Sequence, residues 1–127
     1  MSAAVNPDGP RRRAVERAVR QRVRLIASAY ILNEVERVLV EDFDKSPRFA
    51  ALTVQNILRM TRLVRLPESI PSHVATDPND DPIVQTALTG KADYLVTADK
   101  VLLALAKVRD VEIIGLDDWL ALLPPDD

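Results

Sequence analysis

Residues 92–103 read Ala-Asp-Tyr-Leu-Val-Thr-Ala-Asp-Lys-Val-Leu-Leu, and this stretch decides the fold. Tyr94 to Thr97 is a short β-prone run of the kind that is buried on both faces, so it reads as an interior strand. Asp99 follows as the cap of a helix carrying Leu102, Leu103 and Leu105. Downstream, Val111 to Ile114 is another strand, and Trp119, Leu120, Leu122 and Leu123 close the chain as a short helix. Trp119 belongs to the core and is no base-stacking platform. Upstream, Asn79 caps a helix whose inner stripe is Ile83, Val84, Ala87 and Leu88, with Pro82 in its first turn and Gly90 at its end.

The same alternation extends to the amino terminus. Val23 to Ala27 is a short strand, and Ser28 caps a helix bearing Ile31, Leu32, Val35, Val38 and Leu39. Ser46-Pro47 opens a helix through about residue 60, which leads into a strand at Leu63-Val64-Arg65-Leu66. From Pro67 to Pro78 the prolines prevent regular structure, so a surface loop is expected. Asn6 to Pro10 is turn chemistry ahead of a basic amphipathic helix over about 11–22, and Pro124 to Asp127 is a frayed tail. Strands alternating with helices of these lengths make an α/β domain, a parallel sheet flanked by helices. Such sheets present ligands at the carboxyl ends of their strands.

With 127 residues, 47% of them hydrophobic, the chain makes one domain spanning 1–127. It has no cysteine and a single histidine, His73, in the proline-rich loop. Thiolate sites, disulfides and multi-imidazole metal sites are thereby excluded, and the chemistry falls to carboxylates. No apolar run has signal-peptide or membrane-helix length, so a cytoplasmic protein is expected. The net charge of −2 hides an asymmetry. Residues 1–40 hold eight Arg and four acids, whereas residues 68–127 hold four bases and twelve acids. One end suits phosphates, the other cations.

Three carboxylates stand where a site would form. Asp99 sits just past a strand end, either capping its helix or binding an ion. Asp80 lies three and seven residues before Ile83 and Ala87, beside the buried stripe, where a carboxylate needs capping amides or a metal. Its neighbours Asp77 and Asp81 equally suit the helix macrodipole. Glu34 borders the stripe of Ile31 and Val38, or pairs with Arg37 at the surface. If the three converge, they suit a hard divalent ion, Mg²⁺ or Mn²⁺, which polarises a phosphate oxygen and activates water.

Three segments carry a family resemblance. Ser28-Ala29-Tyr30-Ile31-Leu32-Asn33-Glu34 is a serine-led helix with an acid at Glu34. Asp77-Pro78-Asn79-Asp80-Asp81-Pro82 is an acidic helix start in which Asp80 fits best. The strand over residues 92–97 ends in Thr97-Ala98-Asp99. In this order and with these element lengths, residues 2–123 resemble the PIN-domain family, in particular the bacterial toxin components of toxin–antitoxin pairs. The resemblance implies a metal-dependent endoribonuclease in which Glu34, Asp80 and Asp99 hold Mg²⁺ (or Mn²⁺). Asp77, Asp81 and Thr97 would support them, and Arg11, Arg12, Arg13, Arg17, Arg20 and Arg24 would contact RNA phosphates. It also implies an RNA substrate and a cognate antitoxin as partners, with a homodimer as a further assembly.

One part of the family pattern is not found. Family members begin with a strand carrying an aspartate in a pattern like Asp-Thr-Asn. Residues 2–10 resemble the segment that comes after that strand, and Asp8, on a turn, is a poor replacement. A central strand is therefore expected to be missing, leaving unpaired backbone groups. The gap would come from a start site placed too far downstream, or be closed by direct pairing of the flanking strands or by a strand lent from another chain; otherwise the protein is an inactive remnant. Loss of that carboxylate predicts weak or absent nuclease activity. The competing reading is a non-catalytic PIN-fold module that binds an antitoxin or its own copy. A phosphorylatable receiver domain fits poorly, because Lys100 follows Asp99 directly.

Overall fold

The computed structural model describes residues 1–6 and 12–125, with Arg12 given by its backbone alone. The chain runs β1 (Ser2–Val5), α1 (Arg12–Arg20), β2 (Arg24–Ser28), α2 (Ala29–Glu41), α3 (Pro47–Met60) and β3 (Thr61–Val64). A 3-10 turn (Pro78–Asp80) then leads into α4 (Asp81–Thr89), β4 (Tyr94–Val96), α5 (Lys100–Leu105), β5 (Lys107–Val108), β6 (Val111–Ile114) and α6 (Leu116–Leu122). The described strands form one sheet in the order β3-β2-β1-β4-β6-β5. All neighbours are parallel except β5, which pairs antiparallel with β6. The sheet is therefore mixed rather than wholly parallel, because the two-residue turn Arg109-Asp110 folds β6 back on β5.

The centre of the sheet is filled by the chain's own residues. Ser2–Val5, which the resemblance assigns to the segment after the family's first strand, lie between β2 and β4, with Ala3 beside Leu25 and Tyr94 and Ala4 beside Ile26 and Leu95. Alanine is a weak strand former, which hid this strand from a propensity reading. Its value here is steric. Ala3 and Ala4 are both 0% exposed, and each meets a different apolar cluster across the sheet. The strand start is fixed by Asp93, whose carboxylate accepts from the Ser2 N–H at 2.8 Å while its own N–H donates to the Ser2 carbonyl.

One face of the sheet gathers Ala4, Ile26, Val64, Leu95 and Ile113 under Ile31 of α2 and Ile83, Val84 and Ala87 of α4. The other gathers Ala3, Leu25 and Val96 under Ala18 of α1 and Trp119 and Leu123 of the α6 region. Trp119 is fully buried core, as its spacing suggested. Each large apolar side chain buried in this way contributes about 1.5–3 kcal/mol, the main stabilising term.

The helix ends follow their sequence signals with two adjustments. Ser28 accepts from the Ile31 N–H and Ser46 from the Phe49 N–H, so α2 and α3 begin as expected. Ahead of α4, however, the capping carboxylate is Asp77, which accepts from the Asn79 N–H, and Asn79 is no cap. At the other end Gly90 has φ −78°, so it does not serve as a left-handed stop. A Cβ there would lie 2.6 Å from Ile26 Cγ2, so the glycine is needed for close approach of helix to sheet. The tail is also tied down at Pro124, whose carbonyl accepts from Arg17 Nη2 and Gln21 Nε2. Pro7, Asp8, Gly9, Pro10, Arg11, Asp126 and Asp127 lie outside the described residues.

Candidate functional site

Helix α2 and the 3-10 turn bring Glu34 and Asp80 to one place, around Tyr30. The Tyr30 hydroxyl donates to the Asn79 carbonyl at 2.8 Å. Its pKa is raised, first by burial and then by the negative charges of Glu34, Asp80 and Asp77. Three carboxylates thus act on a single phenol, which is what placing acids on the inner side of two adjoining elements should produce. Asp80 is buried, as its spacing required.

Glu34 is engaged along its own helix. It accepts two hydrogen bonds from the Arg37 guanidinium, at 2.8 and 3.4 Å, and Glu41 accepts a third. These bonds, Glu34's first, push the Arg37 pKa further up. Asp81 faces the preceding loop, where its Oδ1 accepts the backbone N–H of His73 and Val74 at 2.6 and 2.7 Å. It clamps that loop to α4, so Val74 can enter the core. His73 is less exposed than a free loop residue, since its Nε2 meets Gln85 Oε1 at 2.9 Å.

Asp99 stands just past the carboxyl end of β4. Its Oδ1 accepts from the Val101 and Leu102 amides, so it caps α5. Beside it, Thr97 Oγ1 accepts from the Asp99 N–H and from Asn6 Nδ2, both at 3.0 Å. Asn6 immediately follows β1 and is 6% exposed, with its N–H donated to the Val96 carbonyl. The central strand therefore ends in a buried amide at the sheet edge where Thr97 and Asp99 stand. Sequence reasoning passed over Asn6 as turn chemistry; the signal was its place directly after Ala3-Ala4-Val5, once that run is read as a strand.

A divalent ion of the kind the family resemblance implies needs several oxygen donors turned to one point. Among the described residues, no three His, Cys, Asp or Glu side chains are gathered closely enough to hold one. Glu34 is forked on Arg37 and Asp99 caps α5 through Oδ1, so these acids as arranged do not form a three-carboxylate ion site.

The arginines divide. Arg13, Arg17 and Arg20 line a groove of about 1120 Å³ between α1 and α6, closed by Thr97, Ala98, Gly115 and the acids Asp117 and Asp118. Arg24 is exposed at the opposite, amino end of β2. Arg11 and the Arg12 side chain fall outside the described residues. Asp117 and Asp118, which sequence reading did not single out, make this groove mixed in charge.

A sheet bearing Asn6, Thr97 and Asp99 at one edge, with Glu34 and Asp80 on adjoining elements, defines a class that comparison makes specific. The family model for the PIN domain matches residues 1–101, β1 included. The chain belongs to the PIN-domain family. In fold it is similar to the solved structure of VapBC-1 from nontypeable Haemophilus influenzae, with a TM-score of 0.63 at 16% identity, covering 92% of this chain and 99% of that one. No curated protein matches the chain. Among the described residues, no helix is long and apolar enough to cross a membrane.

Proposed function

We propose that this chain is the toxin-type member of a toxin–antitoxin pair, of endoribonuclease ancestry, whose metal-dependent RNA cleavage is weak or absent. The observation that carries this reading is Asn6. The residue that ends the central strand beside Thr97 and Asp99 is a neutral amide, so the aspartate that the family resemblance calls for is not supplied at this edge, neither its negative charge nor its anionic ligand. The commitments of Glu34 to Arg37 and of Asp99 to α5 point the same way. Glu34, Asp80 and Asp99 remain the residues to hold Mg²⁺ or Mn²⁺ if any ion is bound. Asp77 and Thr97 stand next to them, while the bonds of Asp81 assign it to the loop. RNA phosphates would meet Arg13, Arg17 and Arg20 in the α1–α6 groove, in the cytoplasm.

The same observations favour a second reading, a PIN-fold module that binds an antitoxin or its own copy and does no chemistry. Calorimetric titration with Mn²⁺ separates an ion-binding site from none. The proposal expects no saturable binding in the micromolar range. One-to-one micromolar binding that disappears in Asp80→Asn would contradict it.

A further inference from the structure

Among the described residues the edge strand β3 has β2 as its one hydrogen-bonding neighbour, and its outer backbone groups meet no other described strand. Such an edge is a template for an added strand unless it is blunted. Its surroundings are unusual in two respects. From Lys45 to Pro67 the chain holds five cations, Lys45, Arg48, Arg59, Arg62 and Arg65, and no acid. All five are exposed. Interleaved with them are exposed apolar side chains, Leu52, Leu58 and Leu63. At the carboxyl end of β3 lies a largely apolar hollow of about 340 Å³ lined by Ala29, Tyr30, Leu63, Val64, Arg65 and Leu66.

We infer that β3 receives an extended segment of a partner protein, acidic in sequence and carrying an apolar anchor, which adds as a strand and seats the anchor in this hollow. The inference deepens the partner-binding side of the function proposed above and rests on it. Strand addition takes its affinity from main-chain hydrogen bonds and its specificity from alternate side chains. Here the open edge supplies the first, and the hollow and the cations supply the second. A second copy presenting the same edge is disfavoured, because an isologous pairing would set Arg62 and Arg65 against their own copies. RNA would find the cations, but the hollow is lined mainly by aliphatic side chains, with Tyr30 its one aromatic, and the edge offers hydrogen bonds suited to a peptide backbone.

The test uses the whole chain and two ten-residue peptides, one alternating Glu with Val around a central Leu, the other with Lys in place of Glu. Calorimetry is expected to show the acidic peptide binding at least about tenfold tighter, with affinity falling as salt rises. In Arg62→Glu/Arg65→Glu, whose fold circular dichroism verifies, the preference should reverse, and in the wild type the peptide should slow amide exchange over residues 61–64. Equal or undetectable binding of both peptides overturns the inference, as does an RNA oligonucleotide or a dimer contact proving to be what the double variant disrupts. An antitoxin complex untouched by the double variant sinks this surface and leaves the proposed function standing. Mn²⁺ binding bears on the nuclease question alone.

Discussion

Asn6 differs from an aspartate by one nitrogen, yet that atom sets the charge of the strand edge. Asn6→Asp is expected to lower stability by about 1–3 kcal/mol without metal, because a buried carboxylate replaces an amide donor to Thr97. Mn²⁺ should restore it, raising the melting temperature of the variant and leaving that of the wild type unchanged. A variant as stable as wild type and indifferent to Mn²⁺ would show that residue 6 does not face an ion site. Tyr30 gives a second residue-scale reading. Its raised pKa means the folded phenol holds its proton more tightly than the unfolded one, whose pKa is 10.0. Stability is therefore full below pH 10 and declines as pH rises towards the folded value. Ultraviolet titration in a Tyr94→Phe background should find Tyr30 ionising above the unfolded protein, with Glu34→Gln closing part of the gap. Normal ionisation would separate Glu34 and Asp80 from the phenol.

At the scale of elements, what could be read depended on whether local chemistry or packing forms the element. Ser28, Ser46-Pro47 and Asp99 carry their caps in the sequence, so α2, α3 and α5 were legible with their starts. Strand β1 was not, because Ala3 and Ala4 have little strand preference and become a strand only between β2 and β4. For the candidate acids the sequence offered alternatives, Arg37 or an ion for Glu34 and a helix cap or an ion for Asp99, without choosing between them. A carboxylate at a helix start has capping amides and ions as alternatives, and spacing does not choose between them; Asp99 took the amides. Gly90 makes the packing argument testable. Gly90→Ala is expected to cost about 1–3 kcal/mol in chemical denaturation, since Ile26 must move from a fully packed position. A stabilised variant would mean that helix propensity outweighs the contact.

Across the whole molecule, the charges separate by region more than net charge suggests. The α1–α6 groove is lined by arginines together with Asp117 and Asp118, residues 45–67 carry cations and no acid, and acids gather at α2 and the turn before α4. A nuclease needs its acids turned towards one ion and its cations towards the substrate beside it. In this chain the fold is that of the family, the charges of Glu34, Asp80 and Asp77 act on Tyr30, and Asp99 caps α5. The direct measurement is cleavage of a structured RNA in Mg²⁺ by this chain and by Asp99→Asn, which keeps an oxygen to cap α5. The account predicts that both remain near the metal-free background. Rapid Mg²⁺-dependent cleavage by the wild type, lost in Asp99→Asn, would contradict it.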